Sequence, residues 1–209
     1  FAAGLAHNGF LPIPEIQFLA YFHNAEDQLR GEAATLSFFS QGQYLNPMVI
    51  RIAGLAYQRG FGGHFHNDNS LTIFRDIPGL ILACPSNGSD AVKMLRTATK
   101  EAHGKGRIVI FIEPIALYMV KDLHNPKDNK WSSKYPAMNE ELKIGEFITY
   151  GKGKALTIIS YGNGLYHSLK AQPGIEKKIN RKIKIIDICW LSDINIDVLL
   201  KEIGQCKKV

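Results

Sequence analysis

His64, His66 and Asp68 fall at alternate positions of one short stretch, Gly60-Phe61-Gly62-Gly63-His64-Phe65-His66-Asn67-Asp68-Asn69. Alternate residues of an extended loop point the same way, and imidazole with carboxylate suits zinc, so H-x-H-x-D can hold a divalent ion for hydrolysis. His103, His124 and His167 carry no supporting motif that would complete such a ligand set. The plainer alternative makes His64 and His66 loop residues held by backbone hydrogen bonds. Gly60, Gly62 and Gly63 permit backbone conformations that other residues avoid and let main chain approach a ligand. The run is neither a Walker loop nor a dinucleotide fingerprint, because no Lys-Ser/Thr follows and G-x-G-x-x-G is not met. A second turn, Tyr161-Gly162-Asn163-Gly164, either offers amides to an anion or simply joins a strand to a helix.

The elements that must position these residues follow from pattern. Short β-branched runs alternate with segments of helical period, which predicts an α/β fold of three layers around a mainly parallel sheet. Residues 13–18 read as a strand and 24–39 as a helix with Ala25, Leu29, Ala33, Leu36 and Phe39 on one stripe. Strand 48–53 precedes the glycine-rich loop 54–69, and a short helix at 71–76 follows. Strand 80–84, a helix 91–102 capped by Asp90 and strand 107–112 complete the first unit. Right-handed crossovers place the loops after these strands along one sheet edge, where ligands of such folds bind. Periodicity fails at residues 121–141, a proline- and lysine-containing connector. Beyond it, strands 147–150, 155–160 and 183–189 and helices 165–179 and 196–203 begin a second α/β unit. The expected division is 1–120, a connector 121–146, and 147–209 as the first part of a further domain.

Length and composition bound the class. The 209 residues are 45% hydrophobic and 21% charged, a globular balance. The formal charge is +6, but the bases fall in separate turns and helix ends rather than on one face, so a solvated surface is expected rather than nucleic acid. Cys84, Cys189 and Cys206 lack metal or disulfide spacing, which fits a reducing compartment, cytoplasm or, in a eukaryote, mitochondrial matrix. No apolar run is long enough to span a bilayer.

Read in order, Pro12-Ile13-Pro14-Glu15-Ile16-Gln17-Phe18-Leu19-Ala20-Tyr21, Asp27-Gln28 and Glu32-Ala33-Ala34 resemble the beta subunits of thiamine-diphosphate-dependent pyruvate and branched-chain 2-oxo acid dehydrogenases. Pro47 to Arg51, Gly60 to His66, Pro78-Gly79, Pro85-Ser86, Asp90-Ala91 and Phe111-Ile112-Glu113-Pro114 with Tyr118 continue the likeness. Residues 155–162 and Ile185-Ile186-Asp187 resemble the start of that family's transketolase-like C-terminal domain.

The resemblance implies a pyrimidine-binding fold with His66 near the reacting carbon and Tyr21 packed on the aminopyrimidine, Gln17 and Glu15 shaping that pocket. It also implies that the diphosphate and its Mg²⁺ sit mainly on an alpha subunit or alpha half, and no Gly-Asp-Gly with a distant Asn-Asn occurs here. The implied reaction is oxidative decarboxylation of a small 2-oxo acid with acyl transfer to a lipoyl-bearing acyltransferase, in an oligomer. His66-Asn67-Asp68 stands where the family commonly has His-Ser-Gln, Cys189 and Asp193 where arginine and proline are usual, and the potassium loop has no match near residues 101–106. In the family's register the essential glutamate precedes Phe1, so the isolated chain is expected to be inactive. Two alternatives stand beside this: a non-catalytic interaction subunit of the same fold, and a zinc hydrolase using His64, His66 and Asp68.

Overall fold

The computed structural model describes residues 1–56 and 62–209. In the first sheet, β1 (Glu15–Ile16), β2 (Met48–Gly54), β3 (Leu80–Ala83) and β4 (Ile108–Pro114) run parallel in the order β1-β2-β4-β3. Successive strand residues point to opposite faces, and here both faces are apolar, which demands a layer on each side. Ile50, Ile52, Leu82, Ile110 and Ile112 pack on one side with Leu19, Phe22, Leu29 and Phe74. Val49, Ile81, Val109 and Phe111 pack on the other with Met94, Ala98 and Ala102 of the helix Gly88–Lys105. Burying each such large side chain stabilises by roughly 1.5–3 kcal/mol. The result is the three-layer, mainly parallel sheet that the alternation of elements predicts.

Several boundaries differ from the pattern. A helix, α1 (Ala2–His7), stands before β1 where no element is read from the sequence. Residues 13–18 yield a strand of only two residues. Pro12 and Pro14 have no N–H to give the ladder, and contribute only carbonyls, to Val49 N and Arg51 N. The helix expected at 24–39 starts at Phe22 and is broken into α2 (Phe22–Asp27), a π-turn over Gln28–Ala33 and α3 (Leu36–Phe39). Gly31 weakens the middle, Ala34 N reaches back to the Leu29 carbonyl, and Thr35 Oγ1 donates to the Gly31 carbonyl. Within the glycine-rich loop, Gly63–His66 forms a single helical turn, α4, while residues 57–61, Gly60 among them, lie outside the described residues. The helix Gly88–Lys105, α5, is capped by Asn87 and not by Asp90. The Asn87 side chain accepts from Asp90 N at 3.1 Å, and Asp90 sits in the first turn facing the helix dipole. Gly106 (φ +66°) ends it.

The second sheet has the order β5-β7-β6, with β5 (Ile148–Tyr150) antiparallel and β6 (Thr157–Ser160) parallel to β7 (Lys184–Asp187). α6 (Asn163–Ile179) and α7 (Ile196–Ile203) follow β6 and β7. Between the sheets, the stretch from 118 to 147 has no regular element but is firmly built. The Asp128 carboxylate accepts from the amides of Leu123, His124, Asn125 and Lys130, and Asp122 from those of Lys127 and Asn129. Buried Trp131 meets Tyr166 of α6 edge-on at 5.0 Å.

The two sheets are keyed together at their strand ends. Trp190, almost wholly buried, bridges to Ala83, with Cys84 N on the Cys189 carbonyl (2.8 Å) and Leu191 N on the Leu82 carbonyl (2.7 Å). These bonds cover the outer edge of β3, which would otherwise invite foreign strands. Asn163 Nδ2 donates to the Leu55 carbonyl at 2.7 Å, so the loop after β2 is held by the first turn of α6. Ser86 Oγ donates to Asp187 Oδ1 at 2.8 Å inside this junction.

Candidate functional site

Tyr21 reaches its place because Leu19 and Phe22 on either side are buried in the core, which forces the 3₁₀ turn Leu19–Tyr21 to present the ring at the end of β1. His66 closes α4 opposite. Its Nδ1 lies 2.9 Å from the Gly62 carbonyl and its Nε2 lies 3.1 Å from Tyr21 Oη. A carbonyl can only accept, so Nδ1 carries a proton; in the neutral imidazole Nε2 is then the bare nitrogen and the Tyr21 hydroxyl donates to it. Gly62 is in the left-handed region at φ +62°, and a β-carbon there would stand 2.3 Å from His66 Nδ1. Only glycine permits that approach.

Two phenylalanines close the setting. Phe18 meets the His66 ring edge-on at 4.9 Å, and Phe65 meets Tyr21 at 5.4 Å. The cluster is apolar on its flanks with one polar line, Tyr21 hydroxyl to imidazole to carbonyl, through its middle. Neither Phe18 nor Phe65 is singled out by sequence pattern. The only signal is that each lies within three positions of Tyr21 or His66 on a turn.

The H-x-H-x-D stretch is not the extended loop that metal binding would need. One helical turn separates His64 from His66 by roughly 200° about the axis. Both His66 ring nitrogens are engaged, His64 is exposed, and Asp68 is turned away. Asp68 accepts from Ser70 N at 3.0 Å and from the Ser70 hydroxyl, and lies 3.3 Å from His23 Nε2. Burial pushes the Asp68 carboxyl up, but the hydrogen bonds from Ser70 and His23 outweigh it and hold it below the usual carboxylate range. Among the described residues no three His, Cys, Asp or Glu side chains are grouped to hold a metal ion.

The other candidate pocket residues diverge. Gln17 is exposed at the end of β1. Glu15 faces Arg51 across the β1–β2 pair, 3.4 Å from Nη1. Arg51 is gripped bidentately by Glu113, at 2.5 and 3.1 Å, and Glu113 also takes the Tyr118 hydroxyl at 2.5 Å. Hydrogen bonding to Glu113 raises the Arg51 guanidinium further, and burial followed by the same carboxylate pushes the Tyr118 hydroxyl up. Arg51, Glu113 and Tyr118 line a cleft of about 740 Å³ with Phe111, Leu95 and Trp131. Tyr21 and His66 are not among its lining residues. The tetrad Glu15-Arg51-Glu113-Tyr118 escapes sequence reading, since strand pairing brings Glu15 and Glu113 to Arg51 and only the short turn after β4 returns Tyr118 to Glu113. In the turn 161–164, the amides of Gly164 and Leu165 bond to the carbonyls of Tyr161 and Gly162, so two donors that an anion would need are spent on a strand-to-helix turn.

Residues 1–120 match the family described as transketolase, pyrimidine binding domain, over more than half of the chain. The chain belongs to that family. Its sequence is 29% identical over 210 residues to a mitochondrial 2-oxoisovalerate dehydrogenase subunit beta of Dictyostelium discoideum, covering 100% of this chain and 52% of the relative. It is 30% identical over 209 residues to the pyruvate dehydrogenase E1 component subunit beta of Staphylococcus epidermidis, covering 98% of this chain and 58% of the relative. Among solved structures, a split-gene transketolase described as an inactive beta4 tetramer superposes with a TM-score of 0.70 at 18% identity, over 98% of this chain and 58% of that one. The chain thus spans somewhat over half the length of these relatives. As a member of the pyrimidine-binding family it carries its Tyr21–His66 pair on the strand-end side of a parallel sheet, where ligands of open α/β folds lie.

Proposed function

We propose that this chain is the beta-subunit part of a 2-oxo acid dehydrogenase, with 1–120 forming the pyrimidine-binding unit, 121–146 the connector and 147–209 the start of the C-terminal domain. The observation that carries this is the Tyr21–His66 hydrogen bond, set in aromatic walls within a chain similar in sequence to pyruvate and 2-oxoisovalerate dehydrogenase beta subunits. The apolar flanks of the cluster suit a flat heteroaromatic ring, which is what thiamine diphosphate presents to such a subunit. When bound, that cofactor supplies the carbanion that attacks the 2-oxo acid and releases CO₂. Tyr21 offers its ring face to the pyrimidine, with Gln17 and Glu15 at the rim of β1.

His66 acts on the substrate side. Its Nδ1–H is committed to Gly62, so Nε2 is the atom through which it accepts or returns a proton, and release from Tyr21 frees that atom. The alpha subunit or alpha half holds the diphosphate and Mg²⁺, and a lipoyl-bearing acyltransferase takes the acyl group. The assembly is an oligomer in the cytoplasm, or in the mitochondrial matrix of a eukaryote.

The test is made on the chain assembled with an alpha partner, thiamine diphosphate and Mg²⁺, given pyruvate and branched-chain 2-oxo acids. CO₂ release and lipoyl acylation are expected, with His66→Ala depressing the acylation step, and the isolated 209-residue chain is expected to give no turnover. An assembly that binds the cofactor yet releases no CO₂ from any 2-oxo acid would instead support the non-catalytic interaction subunit.

A further inference from the structure

Bases that are far apart along the chain converge on one hollow. Lys152, Lys154, Arg181, Lys182 and Lys207 surround an open depression of about 380 Å³. It lies at the residues preceding β6 and β7, the opposite ends of those strands from the junction with the first sheet. Backbone contacts bind the three contributing segments. Gly153 N donates to the Ile183 carbonyl at 3.3 Å, Lys207 N to the Lys154 carbonyl at 3.1 Å, and Thr157 N to the Lys208 carbonyl at 2.9 Å. Gly153 is packed so closely that a β-carbon would stand 2.1 Å from the Lys182 carbonyl carbon. The hollow is therefore preformed by main chain, and the five cationic stems are held around it.

The charge within it is one-sided. Lys182 is paired with Glu176 at 2.6 Å, whereas among the described residues Lys152, Lys154, Arg181 and Lys207 have no carboxylate within ion-pair distance. All five are exposed. Like charges gathered in this way repel, and an anionic partner offsets that repulsion and is steered to the surface by it. The lining contains no aromatic side chain, so the stacking platform on which single-stranded nucleic acid depends is missing. Flexible ammonium groups and one guanidinium around an open hollow suit carboxylates spread along an extended chain.

We propose that this hollow is a docking surface for an acidic segment of a partner protein. It is independent of the Tyr21–His66 site and of the chemistry proposed for it. The probe is a fluorescent ten-residue oligoglutamate, titrated against the full chain at low and near-physiological salt. Binding that weakens with salt is expected, with a loss of about tenfold in the triple variant Lys152→Glu/Arg181→Glu/Lys207→Glu. The neutral triple variant Lys152→Gln/Arg181→Gln/Lys207→Gln, which removes charge without introducing acid, is expected to show a smaller loss in the same direction. Reversal of Lys127, Lys130 and Lys134 in the connector serves as the control and is expected to leave affinity within about twofold. The proposal is overturned if the hollow variants bind as well as the parent, or if the connector variant loses as much. It is equally overturned if a ten-residue oligouridylate binds the hollow more tightly than oligoglutamate does.

Discussion

Gly62 and His66 are bound to one another in two ways. The Gly62 carbonyl takes the imidazole Nδ1–H at 2.9 Å, and the lack of a β-carbon at residue 62 is what allows the ring to lie there. Gly62→Ala must therefore both strain a backbone at φ +62° and displace the imidazole. A stability loss of roughly 1–3 kcal/mol is expected, read by denaturant titration. In the assembled enzyme, lipoyl acylation should fall to the level of His66→Ala. Full acylation in Gly62→Ala would show that His66 is not positioned by this contact.

Tyr21→Phe keeps the ring and removes only the hydroxyl that donates to His66 Nε2. Stability should change by no more than about 1.5 kcal/mol, the worth of one hydrogen bond. Imidazole ¹⁵N shifts should report a single Nδ1–H tautomer in the parent and a loss of the Nε2 hydrogen-bond signature in the variant. An Nε2–H tautomer in the parent would reverse the donor assignment.

Asp187 supplies a pH dependence of unusual sign. Burial raises its carboxyl to about 7, partly countered by the Ser86 hydroxyl and reinforced by Asp90. The folded state then holds a proton that the unfolded chain releases near pH 4, so this residue's contribution is full below that pH and declines as pH rises toward 7. Asp187→Asn, which keeps the Ser86 partner, should remove the decline and stabilise the protein at pH 8 by up to a few kcal/mol. Thermal melts of parent and variant at pH 5 and 8 measure it. An equal difference at both pH values would rule out a titrating Asp187.

Arg51 and Glu113 offer a double-mutant cycle. Their bidentate geometry predicts a coupling of about 1–2 kcal/mol, reduced from that of a buried pair because Arg51 is partly exposed. Urea unfolding of Arg51→Met, Glu113→Gln and the double variant gives the value. Additive losses would mean that the tetrad beside the cleft is only a surface arrangement.

Much of the scaffold was legible along the chain. Runs such as Met48–Gly54 and Ile108–Pro114, apolar on alternate and intervening positions but for Arg51 and Glu113, announce strands covered on both sides, and the apolar spacing of Ile196–Ile203 announces a helix. The collinear matches from Pro12 to Asp187 pointed to the family because they depend on local sequence alone. The break in the helix after Asp27 was less readable, since Gly31 and Thr35 act through backbone bonds that compete with the helix only once it is packed.

By itself, then, the sequence determined the layers and the mainly parallel first sheet, while Tyr21 and His66 were named separately, through the family resemblance, and only the fold brings them within 3.1 Å of one another. Tertiary structure alone decided that His64 and His66 diverge on a helical turn, that Glu15 joins Arg51 rather than Tyr21, and that Lys152, Arg181 and Lys207 share one hollow. The physical reason is common to all three. Periodicity and propensity act over a few residues, whereas side-chain partnership depends on strand register and on contacts between segments tens of residues apart, which no local pattern encodes.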